Sequence, residues 1–126
     1  NVGPLLCSDG RGHAVDADRR VSLTMELRVD RTGETVSEAR FQCQSDNPML
    51  TIAASVTADL IRGWHVDEAA LVAPLHIQAA LGSWPPEHRY CLELCAEAIH
   101  QAVIDYVHRS IARLTCETPP PATEFG

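Results

Sequence analysis

The chain has 126 residues, 45% of them apolar and 21% charged, which is the length of one ordinary domain with enough apolar side chain for a core and excludes a disordered composition. All ten basic residues are arginine, against seventeen acidic ones, for a net charge of −7; that balance disfavours nucleic acid as a partner, because phosphate binding needs a positive surface, and the lack of lysine excludes Schiff-base chemistry and a P-loop lysine. Two Trp, two Tyr and two Phe supply no platform for base stacking, and no apolar run approaches the roughly 18 residues of a membrane span.

Residues 1–20 show no clear period, and Gly3, Gly10 and Gly12 among short polar side chains predict a loop or an extended N-terminal arm. Residues 21–30 alternate strictly: Val21, Leu23, Met25, Leu27 and Val29 are apolar and the residues between them polar, the pattern of a strand with one wet face. Arg31-Thr32-Gly33 supplies a turn, with Gly33 able to take positive φ. A second strand is predicted over 34–44, with Ala39, Phe41 and Cys43 on one face and Val36 out of phase, the mark of a bulge or a late start.

Ser45-Asp46-Asn47-Pro48 reads as a helix start, Asp46 or Asn47 capping and Pro48 in the first turn. Leu50, Ala53, Ala54, Thr57 and Ile61 form a helical stripe that Gly63 ends. Two short helices are expected over 66–72 and 76–81, separated by Pro74. Trp84-Pro85-Pro86 then breaks the chain before a long helix from about 87 to 114, whose buried stripe is Cys91, Cys95, Ala98, Ile99, Ala102, Val103 and Tyr106. The order predicts one α+β domain over 1–114, a small antiparallel sheet packed against several helices, followed by a Pro-rich tail over 115–126 that reads as mobile.

The five cysteines, Cys7, Cys43, Cys91, Cys95 and Cys116, are an odd set with no CxxC pair, which points to reduced thiols in a cytoplasmic protein rather than to a disulfide framework, zinc ribbon or redox motif. Cys91 falls in the first turn of the long helix, where free amides and the dipole favour thiolate, and a buried core cysteine is the competing reading. Cys95, one turn on, reads as core. Cys43 ends the second strand and is either packing or a second thiol at the sheet edge; Asp46 is a cap or an oxygen ligand; Asp16 and Asp18 are ligands or solvated loop residues. No histidine pair has zinc-protease spacing, and no nucleophilic triad can be seen.

Several strings, in order, resemble the NifU/IscU-like U-type iron–sulfur cluster scaffold family. Asn1-Val-Gly-Pro-Leu5 resembles its NVGxL opening, Arg40-Phe41 its DARF strand end, and Val56-Thr57, Arg62-Gly63 and Asp67-Glu68-Ala69 its VTE…KG…LDEA stretch. Leu81-Gly82-Ser83-Trp84-Pro85-Pro86-Glu87 is similar to LGGLPPxK, and Glu97-Ala98-Ile99, Ala102 and Asp105-Tyr106 to EDAI…AIADY. The likeness runs from residue 1 to about 110.

It implies a three-stranded sheet with helices against it and a cluster site of three cysteines with an aspartate and a histidine nearby. Here the first motif, Cys-Gly-Asp, falls among Asp16, Ala17, Asp18 and Arg19 with no cysteine; the second falls on Ser45-Asp46-Asn47; the third, His-Cys, is Tyr90-Cys91. The chaperone segment reads Trp84-Pro85-Pro86-Glu87-His88, without its lysine. Cys91 alone carries over, and a cluster normally needs four ligands. Two functions are therefore expected: a divergent, non-enzymatic scaffold that holds iron or a 2Fe–2S cluster weakly through Cys91 with Cys43, Asp46, Asp16 and Asp18, or a protein with no cofactor that docks on a cysteine desulfurase or another iron–sulfur assembly protein. Thiol or persulfide chemistry at Cys91 is a distant third.

Overall fold

The computed structural model describes residues 8–45 and 47–117. A three-stranded antiparallel sheet in the order β1-β2-β3 is formed by β1 (Gly10–Asp16), β2 (Val21–Asp30) and β3 (Thr35–Gln44). Four helices follow: α1 (Pro48–Ile61), α2 (Val66–Ala70), α3 (Pro74–Leu81) and, after a 3-10 turn at Pro86–His88, the long α4 (Arg89–Glu117). The 115–126 tail expected from the sequence falls mostly outside the described residues. No helix among the described residues is long and apolar enough to cross a membrane.

The alternation of β2 settles the layers. Val21, Leu23, Met25, Leu27 and Val29 are buried beneath the helices together with Ala39 and Phe41 of β3. The out-of-phase Val36 is buried because the β2–β3 register shifts there: Arg28 pairs with Glu38 but Val29 pairs with Val36. Ser37 is the extra residue of this bulge, and its hydroxyl donates to the Arg28 carbonyl at 3.0 Å.

Within the loop or extended arm expected over 1–20, Gly10–Asp16 forms an edge strand paired along its length with β2. Its alternation is hidden in sequence because two of its three inward residues are glycine. A Cβ on Gly12 would overlap the Ala98 carbonyl and the Ala102 backbone, and one on Gly10 would overlap the Ala102 carbonyl. The glycines let α4 lie directly on the strand backbone. The edge is tied further by the Arg11 N–H, which donates to Asp105 Oδ2 of α4 at 2.9 Å.

The β2–β3 turn also differs from expectation: Glu34, not Gly33, takes the positive φ of 52°. The reason is tertiary. The Glu34 carbonyl accepts the Val66 N–H at 2.9 Å, and Thr35 bridges His65, so the start of α2 fixes the turn's last residue. Pro74 begins α3 rather than separating two helices. Gly63, at φ 89°, ends α1 as expected and donates its N–H to the Val36 carbonyl at 2.7 Å.

Candidate functional site

One end of the sheet gathers the β1–β2 turn, the end of β3, the start of α1 and the start of α4. Asn47 is the cap of α1: its Oδ1 accepts the Met49 N–H at 3.0 Å, leaving its amide nitrogen for other partners. That Nδ2 donates to the Tyr90 hydroxyl at 2.7 Å and to His88 Nδ1 at 3.1 Å. The Trp84 indole N–H donates to the His88 carbonyl at 2.9 Å, which fastens the Trp84-Pro85-Pro86 break to the start of α4.

From the other side, the Arg19 guanidinium lies 4.2 Å from the centre of the Tyr90 ring. The same guanidinium pairs with Asp16 Oδ2 at 2.8 Å, and the Arg19 N–H donates to Asp16 Oδ1 at 3.2 Å. The chain of contacts Asp16, Arg19, Tyr90, Asn47, His88 thus ties three segments together beside Cys91. Sequence reasoning missed this network. The Asp16/Arg19 spacing across a turn was its one readable signal, and the rest depends on residues more than forty apart.

Cys91 itself has no exposed surface. Its position in the first turn of α4 leaves two readings open, a thiol acidified by the helix start and a buried core cysteine, and its burial weighs toward the second. Burial pushes the Cys91 thiol up, because the thiolate would lose its water, and the Tyr90 side chain and the Arg19 charge offset only part of this. Cys95 is a core thiol, as read from its place in the stripe, and burial pushes it up to about 12. Charge on Cys91 and on Cys43 contributes to that rise, so the three sulfurs share one electrostatic neighbourhood. All three are free thiols. Cys43 is half-buried, with Sγ 3.3 Å from the Thr51 hydroxyl in the first turn of α1.

Asp16 and Asp18 line a hollow of about 270 Å³ with Val15, Tyr90, Glu93 and Glu97, and none of Cys43, Cys91 and Cys95 borders it. Asp46 lies outside the described residues, and nothing of Cys7 or the Cys116 side chain is described. Among the described residues no three His, Cys, Asp or Glu side chains come together as a metal site would need.

Arg19 holds the Asp16 carboxyl below the usual carboxylate range, chiefly through its side-chain hydrogen bond. A depressed carboxylate contributes its pairing above its unfolded pKa and loses it as pH falls through the folded one. An NMR titration is therefore expected to put the Asp16 midpoint below that of an ordinary aspartate, and Arg19→Gln to raise it; a midpoint that does not move in the variant would mean that the pair does not form in solution.

Comparison with known proteins agrees with this architecture. Residues 1–113 match the family of NifU-like N terminal domains. The chain belongs to that family. Among curated relatives of this NifU-like domain, the iron–sulfur cluster assembly scaffold protein IscU 1 of Archaeoglobus fulgidus is 24% identical over 111 residues, covering 87% of this chain and 70% of its own. The IscU scaffold of Aquifex aeolicus is 22% identical over 107 residues, covering 85% and 68%. In structure, the N-terminal part of a NifU-like protein from Brucella abortus superposes with a TM-score of 0.64 at 14% identity, covering 86% of this chain and 85% of that one. A putative SUF-system scaffold from Fervidobacterium islandicum gives 0.60 at 12% identity, over 80% and 85%. The three-stranded sheet expected from the resemblance and the long C-terminal helix expected from its apolar stripe are therefore the family fold. At these identities the structural likeness speaks for the fold alone.

Proposed function

We infer that this NifU-like domain works in iron–sulfur cluster assembly as an interaction module, docking on a cysteine desulfurase or another assembly factor without holding a cluster at the Cys91 end and without turnover of its own. The observation that carries this reading is the state of Cys91: a fully buried thiol whose burial disfavours the thiolate that iron requires. The neighbouring positions support it. Where the family resemblance places a histidine, Tyr90 is committed to Asn47 and Arg19. Arg19 brings a cation to the end of the sheet where positively charged iron would bind. The three free thiols among the described residues fit the reducing cytoplasm as its compartment.

The test is a pull-down of a cysteine desulfurase by the purified domain, with Cys91→Ala beside it. Binding that persists in the variant supports the module. Failure of both proteins to bind the desulfurase or any other iron–sulfur assembly factor counts against it.

One observation favours the scaffold reading, in which iron or a 2Fe–2S cluster is held weakly as cargo through Cys91, Cys43 and the carboxylates Asp46, Asp16 and Asp18. Cys43, Cys91 and Cys95 lie close enough for their charges to couple. On that reading, anaerobic reconstitution with iron and sulfide yields a brown protein whose visible absorbance is lost in Cys91→Ala. The interaction module predicts a colourless protein.

A further inference from the structure

The helix-free face of the sheet carries a feature that the cysteine end does not explain. Toward the end of the sheet that carries Cys43, on this opposite face, a recess of about 310 Å³ is lined by Arg11 and His13 of β1, Ser22 and Thr24 of β2, and Gln42 and Gln44 of β3. The pairing register places His13, Thr24 and Gln42 in one row, with Ser22 and Gln44 in another. On a chain of net charge −7, this recess has no carboxylate in its lining. Every side chain that lines it can donate a hydrogen bond.

Two of these groups are set for a ligand. The Arg11 guanidinium has no ion-pair or hydrogen-bond partner among the described residues; its backbone N–H alone is engaged, by Asp105. Glu26, opposite Arg11 on β2, is itself buried and paired in register with Arg40. His13 Nδ1 shares a 2.8 Å hydrogen bond with the Thr24 hydroxyl, and Thr24 is only 9% exposed. That bond fixes the ring and leaves Nε2 as the nitrogen available to a ligand. The volume is that of a small-molecule site.

We propose that this recess binds a small organic oxyanion, a carboxylate or a phosphate ester, through the Arg11 guanidinium with His13 and the flanking hydroxyls and amides. Arg11 supplies the planar, charged fork suited to either group, and the rigid sheet holds the remaining donors in place.

The test is an NMR titration of the full chain with sodium phosphate and, separately, sodium succinate, with sodium chloride as the ionic-strength control. Amide shifts beyond the chloride control, concentrated at residues 11–15, 22–24 and 42–44, are expected for at least one anion, and the stronger binder tells which oxyanion the site prefers. Arg11→Gln is expected to weaken binding about tenfold, as loss of a charge-assisted pair does. Thr24→Val, which frees the His13 ring, is expected to weaken it less, and Arg31→Gln, at the β2–β3 turn and paired with Asp9, to leave it unchanged. Shifts no larger than chloride gives for both anions, or equal affinity in Arg11→Gln, overturn the proposal.

Discussion

Cys91 in the folded protein is expected to alkylate at least about a hundredfold more slowly than the same thiol in the urea-unfolded chain, because a local opening that costs about 3 kcal/mol holds the reactive fraction near one in a hundred. Two effects act in the same direction. The sulfur is fully buried, so reagent reaches it only after the start of α4 opens. Burial also pushes the thiol up, so little thiolate forms at neutral pH. Half-buried Cys43 is the internal comparison, and it should react faster than Cys91 and Cys95.

Arg19→Gln removes the cation over Tyr90 and the pairing with Asp16. Loss of the contact, worth roughly 1 kcal/mol at a partly exposed cation–π pair, loosens the start of α4, while loss of the charge that favours the Cys91 thiolate acts against it, so the Cys91 rate is expected to rise by less than about fivefold. Time-resolved alkylation read by peptide mass mapping measures all three thiols at once. A Cys91 that reacts as fast folded as unfolded would remove the main support for the interaction-module reading and revive thiol or cluster chemistry at this position.

The second large effect concerns stability. Gly12→Val should cost about 3 kcal/mol or more, the upper range for overpacking, because the new atoms meet helix backbone rather than movable side chains. For a domain of this size that corresponds to a loss of roughly 12 °C in Tm. Gly33→Ala is the control: a Cβ there meets nothing nearer than the Thr35 methyl at 3.8 Å, and the change is expected to stay within about 0.5 kcal/mol. Thermal melts followed by circular dichroism distinguish the two. Equal melting temperatures would mean that α4 does not pack on β1 as described.

The same glycines show why one strand escaped sequence reading. β2 was legible because five apolar residues alternate with polar ones without a break, and all five are buried. The long helix was legible because its stripe repeats at helical spacing from Cys91 to Tyr106, all of it buried. In β1 the inward positions are Gly10, Gly12 and Ala14, which carry almost no hydrophobic signal, although their small size is what the packing requires. The bulge at Val36 was readable as a phase error, but the positive φ at Glu34 was not, since it is set by the start of α2 thirty residues away.

At the cysteine end the division is similar. The order of short strings pointed to the NifU/IscU-like family, and comparison with known proteins bears that out. The loss of the expected cysteine and histidine at Asp16–Arg19, Ser45–Asn47 and Tyr90 is a matter of residue identity and is visible in one dimension. Whether Cys91 is an acidified thiolate or a core thiol is not, because a helix start and burial shift it in opposite directions and their balance depends on what packs around it. The sequence by itself determined the α+β class, the family and the depletion of ligand residues, since these follow from periodicity and from which side chains are present. Only the tertiary structure decided that burial outweighs the helix start at Cys91, that Asn47, Tyr90 and Arg19 close into one network, and that Asp16 and Asp18 line a hollow which none of Cys43, Cys91 and Cys95 borders, because each of these is a contact between segments far apart in the chain.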